Sequence, residues 1–319
     1  MEFIRKKDKA TRIGFGEGLL AAALRNEQVV ALGADITASV GMNLFAEKFP
    51  KRFLSMGIAE QNIIGVAAGL AHEGKIPVFS TYGVFAAHRT NDQIRISLCY
   101  NDLHVVIGGA HGGISVGADG ATHQALEDIA VMRVLPNMTV LSPCDATQTK
   151  KAVETAIEQC SGPVYVRYGR EPVSDYTPED LPFEIGKAQV FKEGTDVTVV
   201  ATGTMVWEAL KATETLRQKG ISAEVINLHT IKPLDKETIV NSAKKTNAVV
   251  TAEEHQRYGG MGSAVAELLA EEYPCPMAFV GVDDRFGESG NPQELMQKYG
   301  LTATDIEQKV EQILKRKSK

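Results

Sequence analysis

The sequence predicts an α/β fold in two domains, each a mostly parallel sheet flanked by helices. Three observations carry that expectation. Short runs of Val, Ile, Leu and Ala alternate with segments of helical spacing from end to end, the pattern of βαβ units whose strands are covered on both faces. The alternation is interrupted once, by the polar stretch 171–183 with Pro172, Pro178 and Pro182, which reads as a surface linker. The length, 319 residues, is enough to bury two cores. The expected domains are 1–182 and 183–319.

In the first, Val29-Val30-Ala31-Leu32-Gly33 is a short buried strand that ends in a polar turn at Ala34-Asp35. A helix from about Ala59 to His72 precedes the strand Val78-Phe79-Ser80-Thr81. Leu103 through Gly108, Val140-Leu141-Ser142 and Val164-Tyr165-Val166-Arg167 are further strands. Between the last two, Asp145 to Cys160 places Ala146, Thr149, Ala152, Val153 and Ile157 on one helical face. After the linker, Asp196–Thr202, Ala223–Leu228, Ala248–Thr251 and Ala278–Val280 read as strands. Helices over Met205–Lys219 and Met261–Glu272 separate them, with a third that Asp235 caps.

Composition narrows the class. Apolar residues make up 44% and charged residues 23%, the balance of a soluble globular protein. A net charge of -6 gives no footprint for nucleic acid. Cys99, Cys144, Cys160 and Cys275 lie far apart with no CxxC pair, so neither a zinc site nor a disulfide framework is expected and a reducing cytoplasm fits. No apolar run reaches about 18 uncharged residues, so no membrane span is expected. The segment Met1–Lys7 has charges but no apolar core, and is not expected to act as a secretion signal.

Ligands in open α/β sheets sit beyond the carboxyl ends of the strands, and the polar residues of the first half concentrate there. Asp35, Thr37 and Ser39 follow one strand; Thr81, Tyr82, Phe85 and His88 follow the next. A third is followed by the glycine-rich loop His111–Gln124, with two histidines and an aspartate. It is neither GxGxxG nor a phosphate loop ending in Gly-Lys-Ser/Thr, which argues against a nucleotide. Glu60, in Gly57-Ile58-Ala59-Glu60-Gln61-Asn62, heads the small and apolar run 63–71. A carboxylate there suits the helix dipole, and it also suits proton transfer in an apolar pocket.

The motifs GIAEQN at 57–62, TYGVFAAH at 81–88 and HGGISVGADGATHQ at 111–124, in this order, resemble the pyrimidine-binding half of transketolases. Asp284–Gly290 and Tyr299–Thr302 resemble the transketolase C-terminal domain. The resemblance runs over nearly the whole chain, but the Gly-Asp-Gly and following asparagine of the family's diphosphate-binding domain are missing. It therefore implies the C-terminal subunit of a split transketolase. Such a subunit contacts the pyrimidine half of thiamine diphosphate, while an N-terminal subunit holds the diphosphate and Mg2+. No metal ligand is expected on this chain, and two copies of each chain are expected.

By the same resemblance Glu60 is the catalytic carboxyl at the pyrimidine, held protonated near neutrality by burial. Phe85 stacks on that ring and Tyr82 is a neighbouring aromatic. His88 stands where the family often has tyrosine. Asp35 lies near the cofactor cleft or serves a turn. Arg12, Ser39, His111 and Arg167 hold the terminal phosphate of a sugar phosphate. Asp119 reads a sugar hydroxyl, and His123 lies close to the reacting carbons. His72, His104, His229 and His255 read as structural, and Glu253-Glu254-His255 does not read as a ligand set because neighbours in extended chain point opposite ways. The implied activity is transfer of a two-carbon ketol unit from a ketose phosphate to an aldose phosphate. The 2-oxo acid dehydrogenase E1 β subunit, deoxyxylulose-phosphate synthase and a non-catalytic partner-binding relative are the alternatives.

Overall fold

The computed structural model describes residues 3–317; Met1 and Glu2 of the N-terminal segment lie outside them. The first half runs β1 (Lys7–Ala10), α1 (Thr11–Arg25), β2 (Val29–Gly33), α2 (Asn43–Lys48), β3 (Phe53–Ser55), α3 (Glu60–His72) and β4 (Ile76–Tyr82). Turns of π-helix over Phe85–Arg89 and Ile94–Cys99 flank the short α4 (Asn91–Gln93). Then come β5 (Val106–Ala110), a 3-10 segment Ile114–Asp119, α5 (Asp128–Arg133), β6 (Thr139–Leu141), α6 (Ala146–Gln159), β7 (Val164–Arg167) and β8 (Pro172–Asp175). The second half continues with β9 (Gln189–Lys192), β10 (Val197–Ala201), α7 (Met205–Gln218), β11 (Ala223–Asn227), β12 (Thr230–Lys232) and α8 (Lys236–Thr246). It ends with β13 (Val249–Gln256), α9 (Met261–Glu272), β14 (Met277–Val282), α10 (Pro292–Lys298) and α11 (Ala303–Lys317).

Two α/β sheets result, mostly parallel as the alternation predicts. The larger has the order β12-β6-β7-β5-β4-β2-β3 and is parallel except for β12. The smaller has the order β14-β13-β10-β11-β9 and is parallel except for the edge strand β9. Strands β5 and β10 are buried at every position, as covering both faces requires. Asp145 caps α6 by accepting the Gln148 N–H, and Asp235 caps α8 by accepting that of Thr238.

The halves are more interlocked than the sequence alternation implies. Strand β12 belongs to the second half of the chain yet pairs with β6 of the larger sheet. One apolar cluster runs from Leu32, Ile63 and Phe79 through Ile107 to Ile226, Val249 and Val265. The stretch after β7 is not a free surface linker: β8 pairs with β1, Asp175 accepts the Thr147 N–H, and Asp145 accepts those of Tyr176 and Thr177. Among the described residues no helix is long and apolar enough to cross a membrane.

Candidate functional site

The site is built where β2, β4, β5 and β7 end. Beyond β2 the chain turns at Asp35, and beyond β5 at His111, both in left-handed backbone (φ 63 and 57). Non-glycine residues reach that region at a cost that clusters at functional positions. His111 is buried, Asp35 exposed and Ser39 half-buried. Beyond β4 the helix is wound as a π-turn, a distortion frequent at functional sites. That turn carries Phe85, His88 and Arg89.

Four rings form one cluster. Tyr82 stacks on His111 with centroids 4.2 Å apart. His123 meets Tyr82 and Phe85 edge-on at 5.4 and 5.5 Å, and Tyr82 lies 5.9 Å from Phe85. At one end is Glu60, 3% exposed at the start of α3. Its Oε2 accepts a hydrogen bond from Arg89 Nη1 at 2.9 Å. The Arg89 guanidinium lies over the Phe85 ring at 4.2 Å, and Gln61 donates to the Arg89 carbonyl. The flat guanidinium of Arg89, with its N–H groups, thus lies between the Phe85 face and the Glu60 carboxylate.

At the other end is a polar group. Arg170 donates to Asp119 at 2.8 Å, Asp119 lies 3.9 Å from His111 Nδ1, and Arg12 donates to the Ser39 carbonyl at 3.2 Å. Among the described residues neither ring nitrogen of His111 finds a hydrogen-bond partner. Burial, then the Arg170 charge, lowers its pKa to about 4, against the opposing effects of Asp119 and the Ser39 backbone, so the ring is neutral at physiological pH.

Arg167 does not join them. It is 6% exposed, its Nε donates to Asp128 at 2.9 Å, and its Nη2 donates to the carbonyls of Ala125 and Glu254. Asp128 also accepts from the Tyr165 hydroxyl. Burial alone would raise its pKa, but Arg167, His255 and that hydroxyl hold it below the usual carboxylate range. Arg167 anchors the interior through Nε and Nη2. The accessible cation at this strand end is Arg170, which sequence reasoning missed. The signal was present: Arg167 closes β7, whereas Arg170 lies three residues past it, where ligands sit. Arg89 was missed as well, since a cation on an aromatic face leaves no spacing signature. His88 stands at the rim beside Glu127 (3.5 Å), whose hydrogen bond and charge raise its pKa against the opposing effect of burial.

The second half supports the glycine-rich loop from behind. Glu254 accepts the Ser115 N–H through Oε1 and the Thr204 hydroxyl through Oε2. The Gln124 amide donates to Ile114, Gly117 and Glu288 carbonyls. Glu253 accepts the first N–H groups of α9, and His255 is fully buried with its Nδ1 against the Gln256 carbonyl. Among the described residues no cluster of three or more His, Cys, Asp or Glu is placed to hold a metal ion.

A two-domain α/β chain with an aromatic-walled carboxylate at the strand ends of its first sheet is the class that fold and site define. Residues 7–174 match the transketolase pyrimidine-binding domain and residues 186–306 the transketolase C-terminal domain. The chain belongs to the transketolase family. It is 44% identical over 300 residues to a 6-deoxy-6-sulfo-D-fructose transketolase subunit of Clostridium sp. (strain MSTE9), covering 94% of this chain and 93% of that one. It is 41% identical over 298 residues to an apulose-4-phosphate transketolase subunit of Phocaeicola vulgatus, covering 93% and 95%. A solved structure described as a split gene transketolase, inactive beta4 tetramer, superposes with a TM-score of 0.90 at 51% identity, covering 96% of this chain and 98% of that one.

Proposed function

We propose that this chain is the C-terminal subunit of a two-chain, thiamine-diphosphate-dependent transketolase that moves a two-carbon ketol unit between sugars carrying an anionic end. The observation that carries the reading is the buried Glu60 carboxylate beside the Phe85 face. When bound, thiamine diphosphate supplies the nucleophilic carbon that such a transfer requires. Phe85 offers its face to the pyrimidine, and Tyr82 backs the wall. Glu60 holds and returns a proton at its Oε2. At the far end Arg170 and Arg12 orient the anionic group, phosphate or sulfonate, since a guanidinium reads charge and planar oxygens. Asp119 accepts from a sugar hydroxyl, and His123 together with His111, which burial keeps neutral, completes the wall near the reacting carbons. Asp35, exposed beside the cleft, keeps its turn role, and His88 sits at the cofactor's rim.

The partner is an N-terminal chain that binds the diphosphate and Mg2+, in an assembly with two copies of each. Supporting this, Ile58 next to Glu60 is 73% exposed and Leu54 is 37% exposed, apolar surface that an obligate interface would cover. The relative described as an inactive beta4 tetramer is consistent with a chain that awaits a second kind of subunit. The four free cysteines suit a cytoplasmic location.

The test is co-purification with a diphosphate-domain chain and assay on sugars ending in phosphate or sulfonate. Glu60→Gln is expected to lower turnover by about 10³-fold or more, within reach of a lost general acid–base, with the fold retained by circular dichroism. Wild-type turnover by that variant, or no ketol transfer by the assembled pair, refutes the proposal.

A further inference from the structure

Glu60 is a nearly fully buried carboxylate, and a carboxylate so placed is costly unless something compensates it. In this structure Arg89 does so, and its position repeats the demands of the proposed cofactor ring. The guanidinium is flat, it covers the Phe85 face at 4.2 Å, and it gives an N–H to Glu60 Oε2 at 2.9 Å. An aminopyrimidine needs the same ring face and the same carboxylate oxygen. The two cannot occupy one place together. The Arg89 side chain can also leave: it is 43% exposed, and the π-turn that carries it ends at this residue.

We infer that Arg89 is an internal placeholder for the cofactor's aminopyrimidine: it occupies the Phe85–Glu60 slot in the unloaded chain and is displaced when the ring binds. The inference rests on the proposed thiamine-diphosphate reading. Its consequence is a linkage. The contact that stabilises the empty chain competes with the cofactor, so the chain alone keeps Glu60 compensated and exchanges that contact for the ring when the assembled site forms. Arg89 is accordingly a positioning residue for Glu60 and sets cofactor affinity.

Two measurements test it. In urea unfolding of the full chain without cofactor, Arg89→Ala is expected to lower the midpoint, and the same change made on Glu60→Gln is expected to have little effect, because the partner charge is gone. In titration of the assembled two-chain enzyme with thiamine diphosphate and Mg2+, followed by intrinsic fluorescence, Arg89→Ala is expected to bind about tenfold tighter, the scale of one lost half-exposed ion pair with a cation–π contact. Arg89→Lys, which keeps charge without the flat face, should fall between. Arg89→Ala binding equally or more weakly overturns the placeholder while leaving the cofactor reading intact. No binding by the wild-type assembly overturns both. An unfolding cycle with no coupling between Arg89 and Glu60 also overturns the placeholder.

Discussion

Two arginines three residues apart separate a buried structural pairing from the proposed binding role. Arg167 is buried against Asp128, with Ala125 and Glu254 carbonyls taking its second nitrogen; Arg170 is half-buried at the cleft on Asp119. Arg167→Ala strands the Asp128 carboxylate in the interior. Breaking a buried pair in this way costs on the order of 3–5 kcal/mol, which urea unfolding would register directly. Arg170→Ala removes a partly solvated pair worth about 0–1 kcal/mol in stability. Its effect is expected in KM for the anionic sugar, raised about tenfold or more with the unfolding midpoint unchanged. The reverse pattern, with Arg167→Ala stable and raised in KM, would return the anion-binding role to Arg167. At this scale the sequence was informative where a residue's oddity was local. Glu60 stood out as a carboxylate heading an apolar helix, and His111, Asp119 and His123 stood out in a glycine-rich loop. Arg167 looked like an anion ligand because its partner, Asp128, is 39 positions away, a pairing that only the fold brings together.

The elements most visible in the sequence were those whose periodicity is undisturbed: β2, β4, β7, β10, α3, α6 and α9. Helix α1 was invisible for a physical reason. It carries glycine at 14, 16 and 18, which lowers helix propensity, yet a Cβ at Gly14 would come within 2.1 Å of the Ala146 carbonyl oxygen. Gly14 and Gly18, whose Cβ atoms would meet the Ala146 and Lys150 carbonyls, let α1 lie directly on α6, and Gly16 makes the same close approach to Gly41. Strands β8 and β12 are short and pair across long stretches of sequence, so no local pattern announces them. The same close-approach logic governs the loop 111–124. Gly113 has φ 91, and a Cβ there would sit 2.2 Å from Glu254 Oε1, the oxygen that accepts the Ser115 N–H. Gly113→Ala must both strain the backbone and displace Glu254. A loss of about 2–4 kcal/mol is expected from the two mechanisms together, with faster hydrogen exchange in both the loop and the start of α7, where Thr204 shares Glu254. Exchange confined to the loop would mean that the second half does not buttress it.

For the whole molecule, the buried ionisable groups that join the halves set how stability responds to pH. Burial lowers His111 and His229 each to about 4, and burial lowers His255 against the opposing charge of Asp128. The unfolded chain takes up protons on these rings near 6.5, so between 6.5 and 4 it binds more protons than the native state. Their contribution is complete above 6.5 and is lost as pH falls toward 4. Glu253 runs the other way. Burial raises its pKa to about 7, only partly offset by the Gly262 and Met261 N–H groups it accepts. The native state therefore keeps a proton that the unfolded chain releases near 4.5, and its contribution declines as pH rises from 4.5 to 7. Asp145, which burial also raises, acts in the same sense as Glu253. The histidines, joined by His104, which burial lowers as well, outnumber the two acids, which leaves a net rise in stability from pH 4.5 to 6.5, at about 1.4 kcal/mol per pH unit for each uncompensated proton. Glu253→Gln deletes the opposing proton while copying the shape of the protonated acid. The variant's unfolding free energy should climb more steeply than wild type over that interval and gain on wild type by on the order of 2–3 kcal/mol between pH 4.5 and 7. Parallel pH profiles for the two proteins, measured by urea unfolding, would mean that Glu253 is ionised in the native state throughout and that α9 is held by a charged carboxylate.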